Sequence, residues 1–340
     1  IEQLEDGHTI QQATVLFDPD SGEMPEFGSN DGALVLPLNT CGFNDYRPLL
    51  QAASQAFLGE PSLGKGAWDE MGLWLGTHNV QRTTYHVRKS MHATRSTGLA
   101  VLRSPAGDSW AYLRAARFNG RPGHADQLHL DLWWKGLNLA QDAGTYSYNA
   151  PPPWQNALTH TEVHNTLTIN GSEQMTHAGR FLYLDWAQAR QIQPARQDVG
   201  WNHLFVGDHD GYRRYGLRHQ RSVEYQPLRW IVTDQVISTR NRKPEALFSI
   251  RLHWLLPDLA YEFEAHPHLA VLKLSTTHGL VTLSIQSQAA HLQPLLVRAG
   301  ERLFGKLPIQ PTWGWTAPTY GYKIPSLSFS VTLKAAAPLI

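Results

Sequence analysis

Residues 124–148 read HADQLHLDLWWKGLNLAQDAGTYSY. The centre of this stretch decides the fold class. Leu128, Leu130, Leu132 and Trp134 fall on one parity, and His129, Asp131, Trp133 and Lys135 on the other. Side chains alternate across a strand, so the pattern is that of a strand with its leucine parity against a core. That reading puts His129 and Asp131 on the solvent face, His129 as a satisfied surface histidine. Polar groups flank the strand: His124 and Asp126 before it, and Asp142 in a glycine turn after it. A strand between two polar turns is one account of the arrangement. A site built on a sheet edge is another.

The period of two extends outward from this stretch. LVTLSIQ (280–286) and SLSFSVTL (326–333) alternate apolar with Ser, Thr or Gln, which predicts strands with one buried face. LAVLRS, SWAYLRAAR, HNTLTI, RWIVTDQVIS, LFSIRLHWLL and LAVLKLS are further strands, punctuated by the turns PAGD, INGSE and VGDHDGY. Many strands with few helices between them predict antiparallel sheets packed face to face. Helical spacing is confined to the first part. In NDYRPLLQAASQAFLGE, Asn44 or Asp45 caps, Pro48 sits in the first turn, Leu49, Leu50, Ala53 and Phe57 recur, and Gly59 stops the run. AWDEMGLWLG predicts a second, shorter helix with Met71, Trp74 and Leu75 inward. The fold expected is mainly β: a large antiparallel β-sandwich over 79–340, preceded by a short α-helical segment over 1–78.

Composition narrows the function. The 340 residues are 42% apolar and 17% charged, with a formal net charge of zero. A packed core is therefore available, and the basic footprint of a nucleic-acid binder is missing. Twelve Trp and twelve Tyr suit strands, and they also suit a cleft in which rings stack on sugars. Cys41 is the only cysteine, which excludes an internal disulfide and a cysteine-based zinc site. No apolar run approaches the roughly 20 residues of a membrane span. The opening IEQLEDGHTI does not read as a signal peptide and is expected to be a cut within a longer chain.

Three stretches carry groups that can do chemistry. PGHAD supplies His124 and Asp126, QDAGTYSY supplies Asp142, Tyr146 and Tyr148, and THTEVHNTLTI supplies His160, Glu162 and His164. Two imidazoles and a carboxylate can hold Zn²⁺ and leave a fourth position open. With seventeen histidines in the chain, chance placement near strand ends is also expected. Residues 77–122 hold Arg82, Arg88, Lys89, Arg95, Arg103, Arg114, Arg117 and Arg121 against the single acid Asp108. This excess reads either as an anion-facing surface or as solvated strand faces. Trp154, in the stiff APPPW loop, can stack on a sugar ring or pack in the core.

The stretch 120–175, with GHADQLHLDLWWKGLNLAQDAGTYSY and THTEVHNTLTINGSEQM, resembles the C-terminal region of the heparinase II/III family of bacterial polysaccharide lyases. Looser similarity runs from 80 to 340, and GWTAPTYGYKIPS fits the closing strands. FGSNDGALVLPL and FNDYRPLLQAA resemble the last helices of the family's α/α toroid, most of which would precede Ile1. The resemblance implies Zn²⁺ held by His124, Asp142 and His164, with Asp126 in support. It implies an acidic polysaccharide or oligosaccharide as substrate and a bacterial periplasmic or secreted location. One departure stands out: the first histidine of the family's His-x-His pair, which has a proposed catalytic role, is here Pro122, which transfers no proton.

A polysaccharide lyase cleaves beside a uronic acid by β-elimination. The uronate carboxylate must be neutralised, a base must take the C5 proton, and an acid must protonate the leaving oxygen. Within this chain Tyr146 and His160 are the candidate proton-transfer groups, and Arg117, Arg121 and Trp154 the candidate substrate contacts. The alternative is a non-catalytic carbohydrate-binding or scaffold sandwich that keeps the zinc site. A third reading, metal-assisted hydrolysis with Glu162 as base, needs an open zinc position.

Overall fold

The computed structural model describes residues 16–26, 28–30, 32, 36–77, 98–193, 197–198, 201–202, 204–239, 247–287 and 290–339. The chain forms two units, Ile1–Pro25 with Gly32–Arg95, and Glu26–Asp31 with Ser96–Ile340.

In the first unit, α1 spans Arg47–Leu58 and α2 spans Glu70–Leu75. Pro48 sits in the first turn of α1, and Gly59 ends it at φ 73°, as expected. The cap differs from expectation. Tyr46 occupies the N-cap, while Asp45 takes the backbone N–H and the guanidinium of Arg47. The buried face differs too. Leu49 and Phe57 are exposed, whereas Leu50, Gln51, Ala52 and Ser54 are buried. Gln51 explains this, because its amide exchanges bonds with the Leu63 backbone and reaches Asp69. In α2, Trp74 and Leu75 point outward rather than inward. The close approach is made by Gly72, where a Cβ would lie 2.4 Å from Gln55 Oε1.

The second unit is an antiparallel β-sandwich, as the alternation predicted. One sheet holds β1 (Leu99–Arg103), β2 (Ser109–Arg114), β3 (Leu130–Trp134) and β4 (Leu137–Ala140) in sequential order. A second runs Glu301–Phe304, Gln293–Arg298, Tyr322–Ala335, Phe248–Pro257 and β5 (Leu167–Ile169). The hairpin partner Trp315–Thr319 also joins Tyr322–Ala335. A third places Leu217–Gln226 between Arg229–Ser238 and Leu204–His209, with Ala189–Gln193 at its edge. The predicted VGDHDGY turn is shorter than read, because Val206–His209 belongs to that third sheet.

Two strands depart from the single-buried-face expectation. In Tyr322–Ala335, Ser326, Ser328 and Ser330 are as buried as Leu327, Phe329 and Val331. The strand is central and covered on both sides, and its hydroxyls are bonded: Ser328 to His253, and Ser326 to Thr316. Around β3 both parities are buried at the start, since Leu128 and Leu130 lie in the core as expected. His129, Asp131 and Trp133 are buried, while Leu132 and Trp134 are partly exposed. His129 is therefore a core histidine, not a surface one. Trp133 stacks on Trp110 at 5.4 Å, and His129 brings its own partners into the core.

Candidate metal centre

The site is assembled from three segments of the second unit. His124 lies in the loop between β2 and β3. Its neighbour Ala125 donates its N–H to the Thr159 carbonyl and receives the Thr161 hydroxyl, which ties the loop to the 157–163 turns. Gln127 fixes the loop from the other side, bonding Ala116, Ala187 and Gln174. β3 and β4 then turn through Lys135 and Gly136, both at positive φ, and deliver the chain to Asp142. Here Gly144 donates its N–H to Asp142 Oδ1 at 2.7 Å. Only glycine fits that position, since φ is 70° and a Cβ would lie 2.3 Å from the Ala317 carbonyl. His164 follows the Thr161–Val163 turn, just before β5.

The three side chains converge. His124, Asp142 and His164 are all buried, and one ligand atom from each lies within 4.8 Å of the others. His124 Nδ1 is 3.3 Å from His164 Nε2, and Asp142 Oδ2 is 3.4 Å from the same nitrogen. The tautomer of His164 follows from its other nitrogen. Nδ1 lies 2.8 Å from the His160 carbonyl and must donate to it, so Nε2 presents a lone pair. Asp142 Oδ2 and His124 Nε2 are buried and have no hydrogen-bond partner. Buried donors arranged in this way can share a positive charge. One proton satisfies at most one contact, whereas a divalent ion satisfies the set. The two-imidazole, one-carboxylate donor set fits Zn²⁺ with one further position. Burial pushes the Asp142 carboxyl up, and burial above all, with the Arg114 charge adding to it, holds His124 well below the ordinary histidine range.

Around these three lies a second ring of groups that sequence reading missed. His129 accepts the Asn165 N–H on Nδ1, so its Nε2 carries the proton and donates to Asp131 Oδ1 at 2.9 Å. That same Nε2 lies 3.6 Å from Asp142 Oδ2. Burial above all pushes His129 down to about 4, so it stays neutral at pH 7. His253 donates to the His164 carbonyl, and Asn165 spans Leu130, Gln141 and Leu255. Arg221 is fully buried. It grips the carbonyls of Leu128 and Asn165 with one nitrogen and pairs with Asp234, which also receives His219 at 2.6 Å. Glu26 is held up to about 7, first by burial and then by the Asp142 charge. Asn30 bonds both of its oxygens and also donates its N–H to Thr145. Sequence alternation put His129 and Asp131 on the solvent face, and Glu26, Arg221 and His253 come from segments with no local signal.

The remaining candidates read from the sequence are not among the three converging donors. Asp126 is buried 2.9 Å from Arg114. Tyr146 meets Trp154 at 5.4 Å between ring centres, against an apolar cluster that includes Leu158, Trp313 and Ala317. His160 bonds Glu173 at 3.1 Å and packs on His177. Among the described residues no hydrogen bond or ring contact joins Tyr146 to His160. Arg117 and Arg121 are exposed, and Arg121 lies over Phe181. Pro122 is buried. Glu162 offers its backbone carbonyl to Arg251. Arg82, Arg88, Lys89 and Arg95 lie outside the described residues. No described helix is long and apolar enough to cross a membrane.

Among solved structures, the heparinase III BT4657 gene product superposes with a TM-score of 0.60 at 15% identity, over 97% of this chain and 44% of that one. The heparan sulfate lyase HepC from Pedobacter heparinus gives 0.58 at 19% identity, over 97% and 46%. This chain thus spans a little under half the length of those proteins. A 33-residue stretch is 70% identical to part of an aspartyl/glutamyl-tRNA(Asn/Gln) amidotransferase chain of Albidiferax ferrireducens, but this covers 10% of the present chain and 7% of that protein and carries no argument. The family model described as heparinase II/III-like, C-terminal, matches residues 86–337, so the chain belongs to the heparinase II/III-like family and carries its C-terminal domain.

Proposed function

We propose that this chain is the C-terminal part of a polysaccharide lyase that cleaves an acidic, uronic-acid-containing glycan by β-elimination. Residues 1–78 would end its helical domain, and 79–340 would carry the sandwich with the site. The observation that carries the reading is the convergence of His124, Asp142 and His164 in a member of this family. The relatives named as heparinase III and heparan sulfate lyase support an anionic glycan as substrate. Zn²⁺, when bound, supplies the positive charge that the three facing donors need and so orders the floor of the cleft.

The chain's own residues have distinct tasks in this scheme. His160 is the group that can hold a proton at its free ring nitrogen. Burial lowers its affinity, but the Glu173 bond and charge outweigh that and raise it. Tyr146 faces the aromatic cluster beside the Asp142 turn and orients the sugar. Arg117 and Arg121 are exposed and would attract the uronate carboxylate. Pro122 favours a second reading, a carbohydrate-binding sandwich that keeps the metal without catalysis. Incubating the full-length protein with heparan sulfate, alginate, hyaluronan and chondroitin decides between them. Growth of ultraviolet absorbance from unsaturated uronates is the expected result. Binding without absorbance would replace the lyase with the binding module.

A further inference from the structure

Lys323 lies in the last long strand, Tyr322–Ala335, with its ammonium inside a basket of rings. Nζ is 4.0 Å from the Trp315 ring centre, 4.5 Å from Trp154 and 5.1 Å from Tyr146. The rings are set edge to face: Trp154 meets Trp315 at 5.7 Å and Tyr146 at 5.4 Å. All four side chains are half-buried, so the basket opens to solvent. Rings hold a cation but accept none of its three N–H bonds fully. Among the described residues no carboxylate pairs with Lys323. A second cation shares the apolar cluster on which Tyr146 and Trp154 pack. Arg251 lies 4.2 Å over Trp313, with Nε and Nη2 buried and unbonded.

The basket is also stitched to the Asp142 turn. Ala317 donates to the Ala143 carbonyl at 2.8 Å, Gly321 donates to Tyr146 at 2.7 Å, and Gly144 bridges Ala317. A ligand held on these rings therefore sits on the same backbone that carries a metal-ligand candidate. A sugar ring presents a face of C–H groups that stacks on an indole, and an acidic sugar adds one anionic substituent at its edge. The basket matches both features, rings for the face and an unneutralised ammonium for the edge.

We propose that Tyr146, Trp154, Trp315 and Lys323 form a subsite for one anionic sugar residue, stacked on the indoles with its carboxylate or sulfate on the ammonium. This rests on the acidic-glycan reading above. The test is titration calorimetry of the full-length protein with three probes: a heparan sulfate hexasaccharide, an unsulfated polymannuronate hexasaccharide and neutral cellohexaose. Lys323→Met is expected to weaken the acidic probes about tenfold and to flatten their salt dependence by about one charge, as loss of one ionic contact does. Lys323→Arg should stay within about threefold of the parent, and Trp315→Ala should weaken both acidic probes. Loss on both acidic probes identifies a carboxylate as the bound group, and loss on heparan sulfate alone identifies a sulfate. If Lys323→Met, with unchanged near-ultraviolet circular dichroism, binds the acidic probes like the parent, or loses cellohexaose equally, the subsite is overturned while the lyase reading stands. If the parent binds neither acidic probe, both fall.

Discussion

At the scale of a residue, the proton on His164 Nδ1 decides what the ring can do. The His160 carbonyl holds that proton, and the opposite nitrogen is left to meet Asp142 and His124. His164→Ala and Asp142→Asn should each abolish stoichiometric zinc, measured by elemental analysis after purification without added chelator. One zinc per chain in either variant would remove these residues from the site. His129 lies beside Asp142 but is not itself a proposed ligand, so His129→Ala should weaken zinc about 10–100-fold in a competition assay rather than abolish it. Asp234 gives a pH signature. Burial raises its carboxyl, but the Arg221 charge and the His219 bond outweigh that and hold it well below the usual carboxylate range. A depressed folded value gives stability that is present above the unfolded value of about 3.9 and is lost as pH falls through the folded one. Asp234→Asn should therefore cost about 3–5 kcal/mol at pH 7 in urea unfolding, as breaking a buried pair does, and the difference should shrink below about pH 4. A gap that is constant across that range would show that the pair contributes no linkage.

At the scale of an element, the turn after β4 carries the site. Gly144→Ala drives a Cβ into the Ala317 carbonyl from a backbone that disfavours it. It should cost about 1–3 kcal/mol in thermal unfolding and weaken zinc, because Asp142 moves with the turn. Normal stability and normal zinc together would show that the turn relaxes freely. Elements of this kind were largely legible in the chain. The strands, their antiparallel sense, Pro48 and Gly59 at the ends of α1, and the glycine turn could all be read from periodicity and turn residues. Faces were less legible. His129 and Asp131 look like solvent positions until Asn165 and Asp142 supply partners from far along the chain. Ser326, Ser328 and Ser330 look like an outer face until Thr316 and His253 cover two of them. A polar residue is core-compatible only when its partner is present, and local sequence does not contain the partner.

At the scale of the molecule, the second unit is held across its sheets by the same contacts that position the site. A ligand that binds only the folded form stabilises it by RT ln(1 + [L]/Kd), about 2.7 kcal/mol at a hundredfold excess over Kd. Chelation should lower the melting temperature of the protein, and added zinc should restore it; indifference to both would argue that no ion holds the three donors together. His124, Asp142 and His164 were reachable from the sequence because each sits in a motif shared with a family. Glu26, Arg221 and His253 were not, since each reaches the site from a distant stretch with no motif of its own. Arg221 has one more implication. Its single Nη1 clasps the chain beside His129 and the chain beside His164, so the two walls of the pocket hang from one peg on a neighbouring sheet. Anyone transplanting this pocket into a designed scaffold would have to bring the peg, its Asp234 socket and the strand Leu217–Gln226 along with the three donors.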